Sequence, residues 1–393
     1  MRATSAPYIA FAGFGIFWGA WGASLPGLRD AAELSDAQLG TALLYVGIGA
    51  VPAMALTGRA VDRFGVRVAG LALVALALSG VGLAAWGRDF AALAVGMLLV
   101  GATSGAADVG ANSLAGLAER RSGRRVITLA HAVFSSFVVV GSLGAGTMTA
   151  ATGGTVPTFT LAGLLIAASG VWVFRFGTGP LPRHREQPPQ ERRRLSAVLP
   201  FAAVGVVGAL GFAAENAHQS WGAVFLTDEL QATPLVAAFA PAAFAAFAAV
   251  TRFGVGTSTR IPERAILWGG AGTAVIGTVL LAGAPTIPVA LAGLAIAAVG
   301  TSVLFPTLLS RATRDVTDVA RGRATSIIGT TAYLGFVLGP VYVGYLSSSL
   351  GLRGALIGVA ALCLAFGILA PLPTRKTPSA GPATAPVSQN GAA

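Results

Sequence analysis

Apolar runs about as long as a bilayer is thick recur from one end of this chain to the other, and that pattern limits its fold more than any motif does. A helix crossing the hydrocarbon core needs about 20 mostly apolar residues. Twelve runs meet that length: 7–28, 38–57, 66–86, 90–117, 126–150 and 156–176, then 198–227, 234–251, 265–283, 286–310, 323–349 and 353–371. A water-soluble alternative fails on composition. With 54% hydrophobic and 10% charged residues and a mean hydropathy of +0.75, 393 residues cannot clothe a globule in polar side chains. The expectation is an all-α membrane protein of twelve transmembrane helices. The first run follows a single Arg2 and lacks a small-residue cleavage site, so it reads as a retained spanning helix and not a signal peptide.

The basic residues orient these spans. With the N-terminus inside, all 26 Lys and Arg except Arg29, Arg88 and Arg353 fall on the inner side. The positive-inside rule requires that bias, and dropping or adding a span scrambles it. Both termini are therefore expected in the cytoplasm, with the protein multi-pass in the cytoplasmic membrane. The formal charge of +11 invites a nucleic-acid reading. Phosphate-recognising basic residues, however, gather on one soluble face, whereas these separate apolar runs. The partner they fit is the lipid bilayer, not nucleic acid. The single cysteine, Cys363, allows no internal disulfide, redox pair or thiolate metal site and reads as core packing.

One long polar connection, residues 177–197, is rich in Pro and Arg and divides the spans six plus six. It separates an N-terminal bundle, 1–176, from a C-terminal bundle, 198–372, and a tail at 373–393 has nothing to bury and is expected to be disordered. The halves echo each other. Trp21 Gly22 Ala23 returns as Trp221 Gly222 Ala223, and Arg121 Ser122 Gly123 Arg124 before the fifth span is matched by Ala320 Arg321 Gly322 Arg323 before the eleventh. The offsets point to two pseudo-symmetric six-helix bundles related by an axis along the membrane normal.

Few ionisable groups remain at depth. Of 15 acids only Asp108 and Glu215 fall well inside spans, as do two of the three histidines, His131 and His218, while His184 lies in the central connection. An ionised acid at mid-bilayer costs about 2.5–3.5 kcal/mol even on the lenient insertion scale, so a partner or an aqueous cavity must offset it. Asp108 and Asn112 lie four apart on one helical face, with His131 of the fifth span at a similar depth. Glu215, His218 and Gln219 share a face of the seventh span, with Asn216 and Trp221 beside them. These polar clusters are candidates for proton coupling (Glu215, Asp108) and for binding solute (Asn112, His131, Asn216, His218, Gln219), with Trp21, Tyr45 and Trp221 as apolar walls. Duller readings stand beside these. Asp108 with Asn112 also serves as interhelical glue, His131 as a structural bond to Asn112 or a carbonyl, and the aromatics as interfacial anchors. Glu215 and His218 are too few for a metal site. No nucleotide-binding glycine loop exists, so neither an enzyme, a cofactor nor an ATP-driven pump is expected.

Between the second and third spans stands Gly58 Arg59 Ala60 Val61 Asp62 Arg63 Phe64 Gly65 Val66 Arg67. Glycine allows a tight reversal there, Asp62 can accept from free N–H groups of the next helix, and the arginines hold the end at the interface. Any cytoplasmic hairpin favours Gly and Arg. The full spacing, with Gly58, Asp62, Arg63, Gly65 and Arg67, resembles the signature of the major facilitator superfamily. Within it the chain is similar to the MosC-like (YbjJ-like) branch through Trp21 to Pro26, Leu34 Ser35, Leu39 Gly40, Asp108 to Asn112, His131 to Ser135, and Gly335 to Gly344 with Gly339 Pro340. Drug antiporters of the superfamily carry an arginine in the fourth span and Gly-Pro in the fifth. This chain has neither, its fifth span holding Gly141, Gly144 and Gly146 without proline. The resemblance implies a secondary transporter of small organic solutes, sugar-like ones among them, working as a monomer by alternating access with Asp62, Arg63 and Arg67 as a cytoplasmic latch. Proton-coupled efflux of drugs or metabolites is the alternative within the class, and a non-transporting solute sensor the alternative outside it.

Overall fold

The computed structural model describes residues 2–123, 126–177, 198–257, 261–314, 316 and 318–370. The central connection from 178 onward, with His184, and the tail lie outside the described residues. The described chain forms α1 (Arg2–Ala31), α2 (Asp36–Phe64), α3 (Arg67–Trp86), α4 (Phe90–Ser122), α5 (Val126–Thr152), α6 (Thr155–Phe176) and α7 (Leu199–Leu230). These are followed by α8 (Pro234–Ala237), α9 (Phe239–Thr257), α10 (Glu263–Ala282), α11 (Ile287–Thr301), α12 (Leu304–Thr313) and α13 (Asp318–Leu369). No strand occurs among the described residues.

Among the described residues, 11 helical segments are long and apolar enough to cross a membrane, with α8–α9 and α11–α12 each contributing one segment. The last, Ala324–Leu369, runs 46 residues, about twice what one crossing needs. It is not straight. Gly351 leaves helical geometry at φ 70, ψ 168, and a Cβ on Gly358 would lie 2.6 Å from the Tyr342 hydroxyl. Residues so spaced in a straight helix stand roughly 24 Å apart. The chain therefore turns back at Gly351, and α13 is a hairpin.

Local chemistry fixes the other turns. Ser35 accepts from the Gln38 N–H and Gln38 reaches back to Ser35, a capping box opening α2. Asp89 accepts from Ala92 N–H at 2.8 Å to open α4. Helix α2 runs on through Phe64, so the turn is only Gly65–Val66, with Gly65 at φ 78, a value that favours glycine. The expected cap on the next helix does not form: Val66 is its N-cap, without a side-chain bond, because Asp62 still belongs to the last turn of α2.

Close helix crossings follow from small residues, as they must where lipid supplies no hydrophobic drive for association. Helix α1 packs on α5 and α6, α2 on α4, and α3 on α4 and α6. In the second half α7 packs on α13, α9 on α11, and α10 on α11 and α13. The tightest approach is α7 to α13, where a Cβ on Gly335 would fall 1.8 Å from the Ala209 carbonyl oxygen. Contacts between the first six helices and the rest run chiefly through α2 with α13 and α5 with α8 and α9. At the former, Gly40 meets the Pro340 carbonyl and Gly344.

Candidate functional site

Pro340 sits inside α13 and lacks an N–H, so the carbonyl four residues earlier, that of Phe336, loses its helical donor. In hydrocarbon that oxygen needs another partner. Asn216 of α7 supplies it, its Nδ2 donating to Phe336 O, while Ser220 Oγ donates to Asn216 Oδ1 at 3.1 Å. Trp221 Nε1 donates to Pro340 O at 3.2 Å. Two of the residues expected to meet solute thus hold α7 to α13 around Pro340. His218 is likewise occupied and fully enclosed: Nδ1 lies 2.6 Å from Ala214 O, Nε2 lies 3.0 Å from Thr278 Oγ1 of α10, and the ring stacks on Phe244. A carbonyl oxygen only accepts, so Nδ1 carries a hydrogen.

Glu215 takes a different direction. Its side chain is 8% exposed and Oε1 accepts from Arg252 Nη2 of α9 at 2.6 Å and from Gln219 Nε2 at 3.2 Å. Arg252 Nε also donates to Ser302 O at 3.1 Å, where α11 gives way to α12. This partner went unrecognised in the sequence, where Arg252 reads as an interfacial charge near the end of its span. In the structure its long stem turns the guanidinium toward the bundle, and 45% of the side chain remains exposed.

The first-half cluster forms as the spacing predicts. Asn112 Nδ2 donates to Asp108 Oδ1 and to Asp108 O, both at 3.0 Å, and Asn112 Oδ1 lies 3.2 Å from His131 Nε2. The His131 ring packs on Phe11 with centroids 4.8 Å apart. His131 is exposed, and Asp108 and Asn112 are half-buried. The two clusters face each other: Arg252 lies within electrostatic reach of His131, and Asp108 within that of Tyr333 on α13. Toward the end of the bundle where α1 finishes, a constricted cavity of about 30 Å³ lies between the halves, bordered by Trp18, Trp21, Val46, Asn216, Phe336 and Pro340. That is room for about one water. Trp21 is buried against Phe17 and Trp18, and Tyr45 is half-buried against the core.

Beyond that constriction a charge network ties the halves together. Arg29 donates to both carboxylate oxygens of Asp228, with Nη2 to Oδ1 at 2.8 Å, and to Asp36 Oδ1 at 3.1 Å and Asp30 Oδ1 at 3.0 Å. Asp36 Oδ2 in turn lies 2.9 Å from Ser347 Oγ of α13. Neither Asp36 nor Asp228 was singled out in the sequence, because they stand 7 and 199 residues from Arg29, on different helices. At the opposite end the motif residues are open. Asp62, Arg63 and Arg67 are exposed, Arg63 lies over Phe64 and Arg67 over Phe174, and among the described residues Asp62 makes no ion pair or hydrogen bond.

A sequence model of the Major Facilitator Superfamily matches residues 7–316 and 208–392, so the match spans both halves. The chain belongs to the major facilitator superfamily. It is 28% identical over 378 residues to the uncharacterized transporter y4wD of Sinorhizobium fredii, covering 91% of this chain and 94% of that protein. It is 25% identical over 349 residues to the membrane protein MosC of Rhizobium meliloti, covering 88% and 84%, so the MosC-like resemblance is borne out. A solved bacterial homologue of the human lysosomal transporter Spinster, in an inward-facing and occupied conformation, shares the fold at TM-score 0.76 and 17% identity, covering 93% of this chain and 95% of that one. Major facilitators are membrane transporters and not enzymes. This chain is accordingly a multi-pass member of a transporter superfamily.

Proposed function

We propose that this major facilitator is a secondary active transporter that moves a small polar organic solute, of sugar-like size, across the cytoplasmic membrane by proton-coupled alternating access. On this reading the two arms of α13 are separate crossings. Twelve spans then form pseudo-symmetric bundles at 1–176 and 198–372, with both termini cytoplasmic and the protein working as a monomer. The observation that carries the proposal is Glu215: an acid deep in the seventh span, paired with a half-exposed cation of the same half, opposite Asp108, Asn112 and His131 of the other.

The Arg29–Asp228 network and the narrow cavity beneath it close the outer side, while Asp62 and its neighbouring arginines stand disengaged inside. That combination corresponds to a site open to the cytoplasm. Turning outward requires the Arg29 network to part and the Asp62 end to latch. The roles assigned to Asn112, His131 and Gln219 in binding solute remain part of the proposal, with Tyr45 as a wall. Asn216, His218 and Trp221 also fix α7 to its neighbours, and solute is proposed to meet chiefly the Glu215–Arg252 side.

The test is flux. Purified protein is screened by thermal shift against sugars, sugar acids, polyols and amphiphilic drugs, and the stabilising solutes are followed in proteoliposomes under an imposed pH gradient. Accumulation or expulsion that tracks the gradient and stops with a protonophore is the expected outcome. Binding without any transbilayer movement would instead assign a sensor.

A further inference from the structure

Resting on the proton-coupled reading of Glu215, we infer that the transported solute carries a carboxylate, which replaces Glu215 on Arg252 as Glu215 takes up the proton, so that one proton and one monovalent anion cross together without net charge.

Neutralising Glu215 leaves a cation without its counter-ion. Arg252 loses the Nη2 contact at 2.6 Å and keeps only the Ser302 carbonyl at 3.1 Å. A carbonyl gives partial negative charge, not a counter-ion. A guanidinium cannot discard its own proton, and an uncompensated charge at this depth is costly. With 45% of its side chain exposed, Arg252 keeps open surface beside Glu215 and lies within electrostatic reach of His131 of the other half. That His131 of α5 is bonded to Asn112 of α4, which in turn holds Asp108 Oδ1, and Tyr333 of α13 lies within electrostatic reach of Asp108. Gln219 is on the same helix as Glu215, and His218 points away to Thr278. Among the described residues no carboxylate other than Glu215 pairs with Arg252. An arriving carboxylate matches the planar fork of the guanidinium.

Asp108, Asn112 and Tyr333 then define the other end of the ligand. An acceptor-rich acid and an amide favour hydroxyl donors, which makes a hydroxylated carboxylate of sugar-acid type the class that fits both ends. The step balances. Glu215 gains a proton, Arg252 exchanges one carboxylate for another, and after release to the other side the Glu215–Arg252 pair re-forms as the proton leaves. A neutral sugar moved with one proton would carry net charge; this pair does not.

The probes are galacturonate against galactose and gluconate against sorbitol, matched in size and hydroxylation. Binding is measured by calorimetry on the detergent-solubilised full-length protein, and flux in proteoliposomes. The acids should bind and their neutral partners should not, with one proton taken up per acid bound and affinity rising about tenfold per pH unit lowered while Glu215 is ionised in the free protein. Arg252→Gln should weaken the acids roughly ten- to hundredfold, and Arg252→Lys less. The double variant Glu215→Gln with Arg252→Gln, which leaves no unpaired charge, checks that lost binding is not lost folding. Flux of the acid should respond to pH difference and not to a valinomycin-set potential. Failure of either acid to bind, or potential-dependent flux of the neutral sugar, overturns the substrate class while leaving proton coupling intact. Acid flux indifferent to pH would keep the Arg252 site and discard the proton reading of Glu215.

Discussion

Asn216 and Pro340 make the sharpest case for reasoning at the level of single residues. The proline strips one donor from α13, and the asparagine restores it from α7. Asn216→Ala should therefore destabilise the protein by about 1 kcal/mol, the usual size of such a bond. In a Pro340→Ala background, where the backbone N–H returns to Phe336 O, the same change should cost little, and denaturant unfolding in micelles reads the difference as a coupling energy. Equal losses in both backgrounds would refute the pairing. The Asp108–Asn112–His131 cluster was legible in the sequence because helical spacing and depth along a span are enough to bring those groups together. Arg252 was not. A long side chain near a helix end can point to solvent or inward, and only the position of α9 against α7 decides which. The partners of the seventh-span cluster were hidden for a related reason: which neighbour each side chain meets depends on helix placement, and Glu215 meets α9, His218 meets α10 and Asn216 meets α13.

Helices are set against each other here by absent side chains. Gly335→Ala would push a methyl into the Ala209 carbonyl, 1.8 Å from the ideal Cβ position, forcing α7 and α13 apart at a cost of about 1–3 kcal/mol. Gly329 on the same helix has nothing within 4 Å of such a methyl. Gly329→Ala should be neutral or stabilising by roughly 0.5–1 kcal/mol, through reduced backbone freedom. A fluorescence-detected thermal unfolding series on both variants separates crossing contacts from helix propensity. Apolar run length was enough to foresee nearly every helix, because the bilayer dictates it. It also placed the break in α13 near the Gly351 reversal, which composition alone reports only as a long apolar stretch. The crossings themselves were opaque, since a glycine in a helix looks the same whether it faces lipid or a carbonyl 2 Å away.

At the scale of the molecule, one end is bolted across the halves by charge, while at the other Asp62 makes no ion pair among the described residues. Arg29 bonds acids from α2 and α7 at once, with 12% of its side chain exposed, and partly buried charge-assisted bonds of this kind are stronger than surface pairs. Arg29→Gln should shift the equilibrium toward the outward-open form by about 1–2 kcal/mol, roughly five- to thirtyfold. Thiol labelling of cysteines placed below the constriction, in a Cys363→Ser background, should accelerate from the outer side. Unchanged labelling would mean that the lock is not what keeps that side shut. Charge bias along the sequence assigned Arg29 to the outside, yet its partner lies 199 residues away, beyond the reach of any local pattern. Coupling between the two sides rests on the buried acid of α7 carrying the proton. Reconstituted Glu215→Gln, supplied with a solute the wild type accumulates, is the direct measurement. Solute-for-solute exchange should persist while accumulation driven by the pH gradient disappears, whereas accumulation at the wild-type level would contradict the account.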